Sequence, residues 1–338
     1  MFELFANSRW RRERLLILCY HGISLDDEHM WRPFLYMSSS QLGERLESLR
    51  NMRCSVLPLG EALARLRLRD LPPRSVAITF DDGTYDFYRQ AYPLLKQLGF
   101  PATVYQTTYY SDRALPVFNL MCSYLLWKGR GRQTINGQEF GLSESMEVRT
   151  ELGRHCIVRG LINFSEQENL NGTQKNELAR HLADVLEIDY SVLLAKRILH
   201  LMNEEELTEV AANGVDVQLH THRHRTPEVE LSFRREIIEN RERIRAVTGK
   251  EAIHFCYPSG VYRKQFITWL EKENVVSATT CDTGLATRYD NPYLLPRLVD
   301  TTGRDQLEFD SWICGVGALL SLRRLAPQQY ILPKDRAE

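Results

Sequence analysis

Two hydrophobic rhythms alternate along the chain. Leu15 to Tyr20 (LLILCY) is a short unbroken apolar run, the pattern of a strand buried on both faces, and it stops at His21-Gly22. Ser38 to Leu49 then carries Leu42, Leu46 and Leu49 at helical spacing, with Ser38, Ser39 or Ser40 available as the cap. Leu59 to Leu68 repeats the helical period, Ser75 to Phe80 (SVAITF) reads as a second buried strand, and Tyr85 to Leu98 reads as a helix stopped by Gly99 and Pro101. Ala102 to Thr107 predicts another strand. After a change of rhythm the strands resume at Val215 to Leu219, Ile253 to Tyr257, Val275 to Thr279 and Leu294 to Val299, separated by helical stretches at Leu231 to Val247 and Arg263 to Glu273. Strands alternating with helices predict parallel β/α units. About seven or eight strands suit either a closed barrel or an open doubly wound sheet.

The change of rhythm spans residues 112–213, where a glycine-rich patch (Gly129, Gly131, Gly137, Gly141) lies among helical patterns at Asn119 to Trp127, Gln174 to Leu186 and Glu204 to Ala212. It reads as a mostly helical insertion. The expected division is therefore 1–111 and 214–310 as two parts of one β/α unit, 112–213 as the insertion, and 311–338 as a C-terminal helix and tail. No internal repeat or low-complexity segment interrupts this pattern.

Composition narrows the function classes. In 338 residues, 43 basic side chains nearly cancel 44 acidic ones, so the overall field gives no reason to expect a nucleic-acid partner. The seven cysteines are odd in number, scattered and never spaced C-x-x-C, which argues against a disulfide framework or a cysteine-zinc cluster and favours a reducing compartment. Arg9 to Arg14 and the short apolar run behind it lack a signal-peptide core, so the expected location is the cytoplasm. Ser311 to Leu325, with Trp312, Ile313, Arg323 and Arg324, and the N-terminal Trp10 among arginines, are candidates for contact with a membrane's inner face, although burial of the C-terminal helix accounts for the same pattern.

Three segments carry candidate chemistry. Thr79-Phe80-Asp81-Asp82-Gly83 puts two carboxylates at the C-terminal end of a buried strand, the edge where α/β proteins build sites. Successive residues point to opposite sides, so the two acids can take different roles, one on a metal and one facing water. An ordinary Asp-Gly turn is the plainer reading. His220-Thr221-His222-Arg223-His224 follows directly on a strand. In a continued strand His220 and His224 would stand about 13 Å apart, too far to share an ion with ligand bonds near 2.1 Å, so metal binding requires a turn there, which brings i and i+4 together and swings His222 away. One aspartate and two histidines suit Zn²⁺, with Co²⁺, Ni²⁺ or Fe²⁺ as alternatives. Such an ion acidifies bound water and polarises a carbonyl, which fits amide or ester hydrolysis.

TFDDG, HTHRH and Phe255 to Gly260 (FCYPSG), in that order, resemble the signature motifs of the polysaccharide deacetylase family (NodB homology, carbohydrate esterase family 4). The resemblance implies a distorted (β/α)₇ barrel and metal-dependent removal of acetyl groups from N-acetylated sugars. By motif it assigns Asp81 as general base and Asp82, His220 and His224 as metal ligands. Tyr20-His21-Gly22 resembles the motif of a subgroup with permuted barrel order, which makes His21 the candidate acid. The third motif departs from the family pattern: Cys256 stands where an arginine is usual and Ser259 where a tyrosine is usual. A backbone N–H at Ser259 can still serve an oxyanion, and Arg297, at the end of a later strand, is the candidate replacement for the missing charge. The expected partner is an N-acetylated glycan or a lipid-linked glycan precursor. The same site could instead act on an O-acetyl ester or a non-sugar amide, or the chain could be an inactive glycan-binding relative.

Overall fold

The computed structural model describes residues 5–321 except 112 and 143. Seven strands close into one parallel barrel: β1 (Arg14–Tyr20), β2 (Ser75–Phe80), β3 (Thr103–Gln106), β4 (Asp216–Leu219), β5 (His254–Cys256), β6 (Ser277–Thr283) and β7 (Leu295–Val299). They neighbour one another in chain order, and β7 returns to β1, which also pairs with β2. Of the two architectures that the strand count allowed, the closed barrel is the one formed, as the family resemblance implied. Ser55–Val56 and Ala286–Thr287 add short outer pairings to β2 and β1.

Alternation on each strand serves two cores. Leu16, Leu18 and Tyr20 of β1, with Val76, Ile78 and Phe80 of β2, belong to the large cluster shared with the surrounding helices. Leu15 and Ile17, with Ala77, Tyr105, Cys256 and Leu295, form a separate cluster. Because side chains on a strand alternate sides, this second set faces the barrel interior. Helix α1 (Ser39–Asn51) buries the expected Leu42, Leu46 and Leu49 and is capped by Ser38. Helix α2 (Leu59–Leu68) contributes Leu59, Ala62, Leu63 and Leu66 to the interior cluster, and Gly60 lies against His254 at the start of β5. It therefore closes the barrel at the end opposite the strand C-termini.

Between β3 and β4 run α3 (Phe118–Lys128), α4 (Glu151–Gln167), α5 (Gly172–Val185), α6 (Tyr190–Ala195) and α7 (Glu204–Ala212). The first four share a core of their own, from Phe118 to Leu199, into which Tyr36 also packs. Leu207, Val210 and Ala211 of α7 join the barrel cluster instead, so the self-contained part of the insert ends before Glu204. Helix α4 is absent from the periodicity reading: Gly153 and Gly160 weaken its helical signal, and its buried stripe is only Ile157, Leu161 and Ser165.

The C-terminal segment also differs from a single helix over Ser311 to Leu325. The helix Gln306–Cys314 ends at Gly315 and a second runs over Val316–Ser321, while residues 322–325 lie outside the described part. Trp312 and Ile313, candidates for membrane contact, are buried in the barrel's outer core. No described helix is long and apolar enough to cross a membrane.

The register of β1 on β2 positions the site. Leu16 to Tyr20 lie level with Val76 to Phe80, so the residues that follow, His21 and Asp81, emerge side by side. Leu18 is fully buried in this pair, and Leu18→Ala is expected to lower stability by about 2–5 kcal/mol in urea denaturation.

Candidate active site

The exits of β1, β2, β4 and β5, with Arg297 from the middle of β7, converge on two adjoining carboxylates. Asp81 continues the inward-facing side of β2, is 2 % exposed, and donates its backbone N–H to the Tyr20 carbonyl at 2.9 Å. The chain then turns through Asp82 at φ 71° and Gly83 at φ 72°. A Cβ on Gly83 would stand 1.9 Å from Gln106 Oε1, so both the backbone angle and the close approach call for glycine. The turn carries Asp82 away from Asp81, and the two acids acquire different surroundings.

Asp81 is gripped by Arg297, itself 0 % exposed inside the barrel. Arg297 Nη1 donates to Asp81 Oδ1 and Nη2 to Asp81 Oδ2, both at 2.7 Å, a two-pronged pair. The guanidinium also donates to the Thr280 carbonyl at 2.9 Å and to Thr79 Oγ1 at 3.1 Å, which fixes its plane. The thiols of Cys256 and Cys19 approach Asp81 Oδ2 at 3.3 and 3.5 Å. Burial pushes the Asp81 carboxyl up, but the Arg297 charge and hydrogen bonds outweigh it and hold the group well below the usual carboxylate range. Burial also lowers the pKa of His21, whose Nε2 lies 3.7 Å from Asp81 Oδ2.

Asp82 meets the histidines. His220 Nε2 and His224 Nε2 each lie 3.2 Å from Asp82 Oδ1. The loop after β4 turns tightly at Thr221 (φ 62°) and His224 (φ 56°), which brings these two rings to 5.0 Å between centroids. His222 points elsewhere, with Nδ1 2.8 Å from Thr108 Oγ1. Burial pushes the Asp82 carboxyl up, and the two histidines outweigh this to hold it low; burial lowers His224, and the Asp82 charge outweighs that to raise it.

The donor set fits a divalent cation. His220 Nδ1 lies 2.9 Å from the Cys256 carbonyl, which can only accept, so Nδ1 carries the hydrogen and Nε2 turns its lone pair toward Asp82 in the neutral ring. Ligand atoms about 2.1 Å from one ion at a tetrahedral angle stand roughly 3.4 Å apart, close to the spacing of Asp82 Oδ1 from each ring nitrogen. Two other described groups, Cys19 with His21 and Asp81, and Asp81 with His220 and Cys256, bring metal-type donors together. Both include Asp81, whose oxygens already face the Arg297 cation, so Asp82, His220 and His224 are the residues suited to hold an ion.

Ser259 stands exposed at φ 55° in the turn just after β5, on the same rim. No hydrogen bond among the described residues ties its side chain to the cluster. Residues outside the sequence reading complete the frame. Asn240, fully buried on the helix Glu230–Thr248, accepts the His220 backbone N–H at 2.9 Å and donates to the Gln106 carbonyl at 2.9 Å. Glu236 on the same helix accepts the Arg223 backbone N–H at 2.7 Å. Their signal was present: Phe233, Glu236, Ile237, Asn240 and Ile244 share the buried stripe, where a polar residue needs a partner.

The family model for polysaccharide deacetylases matches residues 69–141 and 176–277, which include Asp81, Asp82, His220, His224 and Ser259 but neither His21 nor Arg297. The poly-β-1,6-N-acetyl-D-glucosamine N-deacetylase of Escherichia coli K12 is 27% identical over 101 residues, 30% of this chain and 15% of that protein, so the match spans a small part of the relative's length. Among solved structures, the Streptococcus pyogenes deacetylase PplD in complex with acetate aligns with a TM-score of 0.57 at 17% identity, over 86% of this chain and 93% of that one. IcaB from Ammonifex degensii aligns at 0.56 and 17% identity, over 90% and 97%. At these identities the structures share the fold.

Two outcomes follow from the geometry. His220→Ala is expected to abolish Zn²⁺ or Co²⁺ binding in calorimetric titration while the chain stays folded. Arg297→Leu leaves Asp81 buried without its counter-charge and is expected to lower stability by about 3–5 kcal/mol in urea denaturation.

Proposed function

We propose, from the premise that this chain belongs to the polysaccharide deacetylase family, that it hydrolyses N-acetyl groups from amino sugars of a polysaccharide or of a glycan precursor. The observation that carries this reading is the pairing of two dissimilar carboxylates, Asp82 shared by two histidine nitrogens at 3.2 Å and Asp81 gripped by Arg297 at 2.7 Å. Asp82, His220 and His224 would hold the cation, for which Zn²⁺ is preferred and Co²⁺, Ni²⁺ or Fe²⁺ are alternatives. When bound, it would supply an acidified water and polarise the acetyl carbonyl.

The protein groups divide the remaining work. Asp81, kept ionised and oriented by Arg297, accepts a proton from the attacking water. That water's oxygen bonds to the acetyl carbon, and the Ser259 backbone N–H is the candidate donor to the carbonyl oxygen as it gains charge. His21 delivers a proton to the sugar nitrogen as the carbon–nitrogen bond breaks, because an amine leaves poorly unless protonated. Acetate and a free amino sugar result. The level register of His21 with Asp81 supports the acid role, and the position of its strand ahead of the TFDDG strand supports a permuted barrel order.

Arg297 supports catalysis through Asp81. It occupies with its guanidinium the space beside Cys256, whose thiol accepts from Nη2 at 3.1 Å. A charge absent from the third motif is thereby provided from the seventh strand.

Asp81→Asn is expected to retain the bound metal but lose about 10²- to 10⁴-fold in the rate of acetate release from a β-1,6-linked N-acetylglucosamine oligomer. Near-normal turnover by this variant would refute the base assignment. Faster acetate release from an O-acetylated sugar than from the N-acetylated one would move the reading to an esterase.

A further inference from the structure

Asp86 lies outside the roles assigned above, yet it joins the loops that carry them. It is 3 % exposed and sits at the start of the helical turn after TFDDG. Its side chain does not cap that turn. Instead Asp86 Oδ1 accepts two hydrogen bonds, from the Ile23 backbone N–H at 3.0 Å and from Thr84 Oγ1 at 2.7 Å. One oxygen therefore ties the exit of β1, which carries His21, to the exit of β2, which carries Asp81 and Asp82.

The backbone around His21 shows why that tie is needed. Gly22 and Ser24 donate in the opposite direction, to the Leu35 and Met37 carbonyls at 3.0 and 2.9 Å, as the short parallel pairing with Tyr36–Met37 demands. The intervening Ile23 N–H faces away from that pairing in a fully buried residue and requires another acceptor. On the other side the Tyr36 ring lies against Gly22, where a Cβ would be 2.0 Å from Tyr36 Cε1. The loop is thus clamped between an aromatic ring and a carboxylate.

The His21 ring itself is weakly held. Its Nδ1 lies 4.0 Å from Cys19 Sγ and its Nε2 3.7 Å from Asp81 Oδ2. Neither is a short hydrogen bond, so the ring's place depends on where the backbone puts it. We infer that Asp86 is a positioning residue for His21, holding the imidazole at the height where it can reach the departing nitrogen. This inference rests on the proposal that His21 is the acid. Asp86 touches no reacting atom; it acts through Ile23.

A double-mutant cycle tests it, with metal content and acetate release from a β-1,6-linked N-acetylglucosamine oligomer as readouts. Asp86→Ala is expected to lower kcat about 10²-fold with KM and metal content unchanged, since a displacement of about 1 Å costs that much. Asp86→Asn, which keeps an oxygen acceptor, is expected to restore most of kcat. In a His21→Ala background Asp86→Ala should cost almost nothing more, because the residue it positions is gone. A full further loss in that background, failure of the Asn rescue, or loss of metal together with activity would overturn the inference. Should Asp86→Ala not fold, Thr84→Val, which removes one of the two donors, carries the same cycle: a kcat loss that vanishes without His21 supports the inference, and a loss that persists overturns it.

An aryl acetate separates the two levels of the argument, since its phenolate leaves without protonation. If His21→Ala slows the ester as much as the amide, the acid assignment fails. If His21→Ala slows only the amide while Asp86→Ala slows both, the acid assignment stands and the positioning role fails.

Discussion

A carboxylate inside a barrel cannot remain ionised without a matched partner, because the charge loses its water and the interior returns little solvation. Asp81 is almost wholly buried, and the arginine that answers it comes from β7, 216 residues along the chain. Two parallel hydrogen bonds fix both the charge and the plane of the carboxylate. The thiols of Cys19 and Cys256 fill the remaining space with small, weakly polar groups that leave room for the guanidinium. The contact is made across β1, which pairs with β2 on one side and β7 on the other and so brings their inward side chains to one interior point.

The turn after β2 separates the two acids. Asp81 follows the inward face of β2, while the left-handed turn at Asp82 directs its neighbour to the histidines. Adjacent residues of one type thereby acquire different partners, the fixed Arg297 cation in one case and two histidine ring nitrogens in the other. The second arrangement is ready for a divalent ion because the Cys256 carbonyl occupies the far nitrogen of His220. The frame around it is polar and deeply buried: Asn240 links the ends of β3 and β4, and Glu236 restrains the histidine loop.

Legibility differed by kind of signal. The strands β1 and β2 stood out as short apolar runs, as expected of strands covered on both faces, and β4 by its alternation, whereas β6 and β7 carry polar residues that the barrel interior takes up. The helices with wide apolar stripes were equally plain, whereas α4, with two glycines and a narrow stripe, was not. Among the site residues, TFDDG and HTHRH were visible because their spacing is itself unusual. Asn240 and Glu236 left a fainter mark, as polar residues on an otherwise apolar helical face. Asp86 left none, since an aspartate before a helical turn ordinarily reads as a cap.

By itself the sequence determined the alternation of strand and helix and the family to which the motifs belong, because these rest on periodicity and local spacing. It also restricted the metal donors to residues that a turn could gather. The strand count allowed barrel and open sheet alike, and the motifs' family implied the barrel; only the tertiary structure decided that Arg297 reaches Asp81 and that His21 stands level with it. Those facts depend on strand register and closure, which bring together residues remote in sequence, so local spacing offers His21 and Arg297 as candidates without placing them.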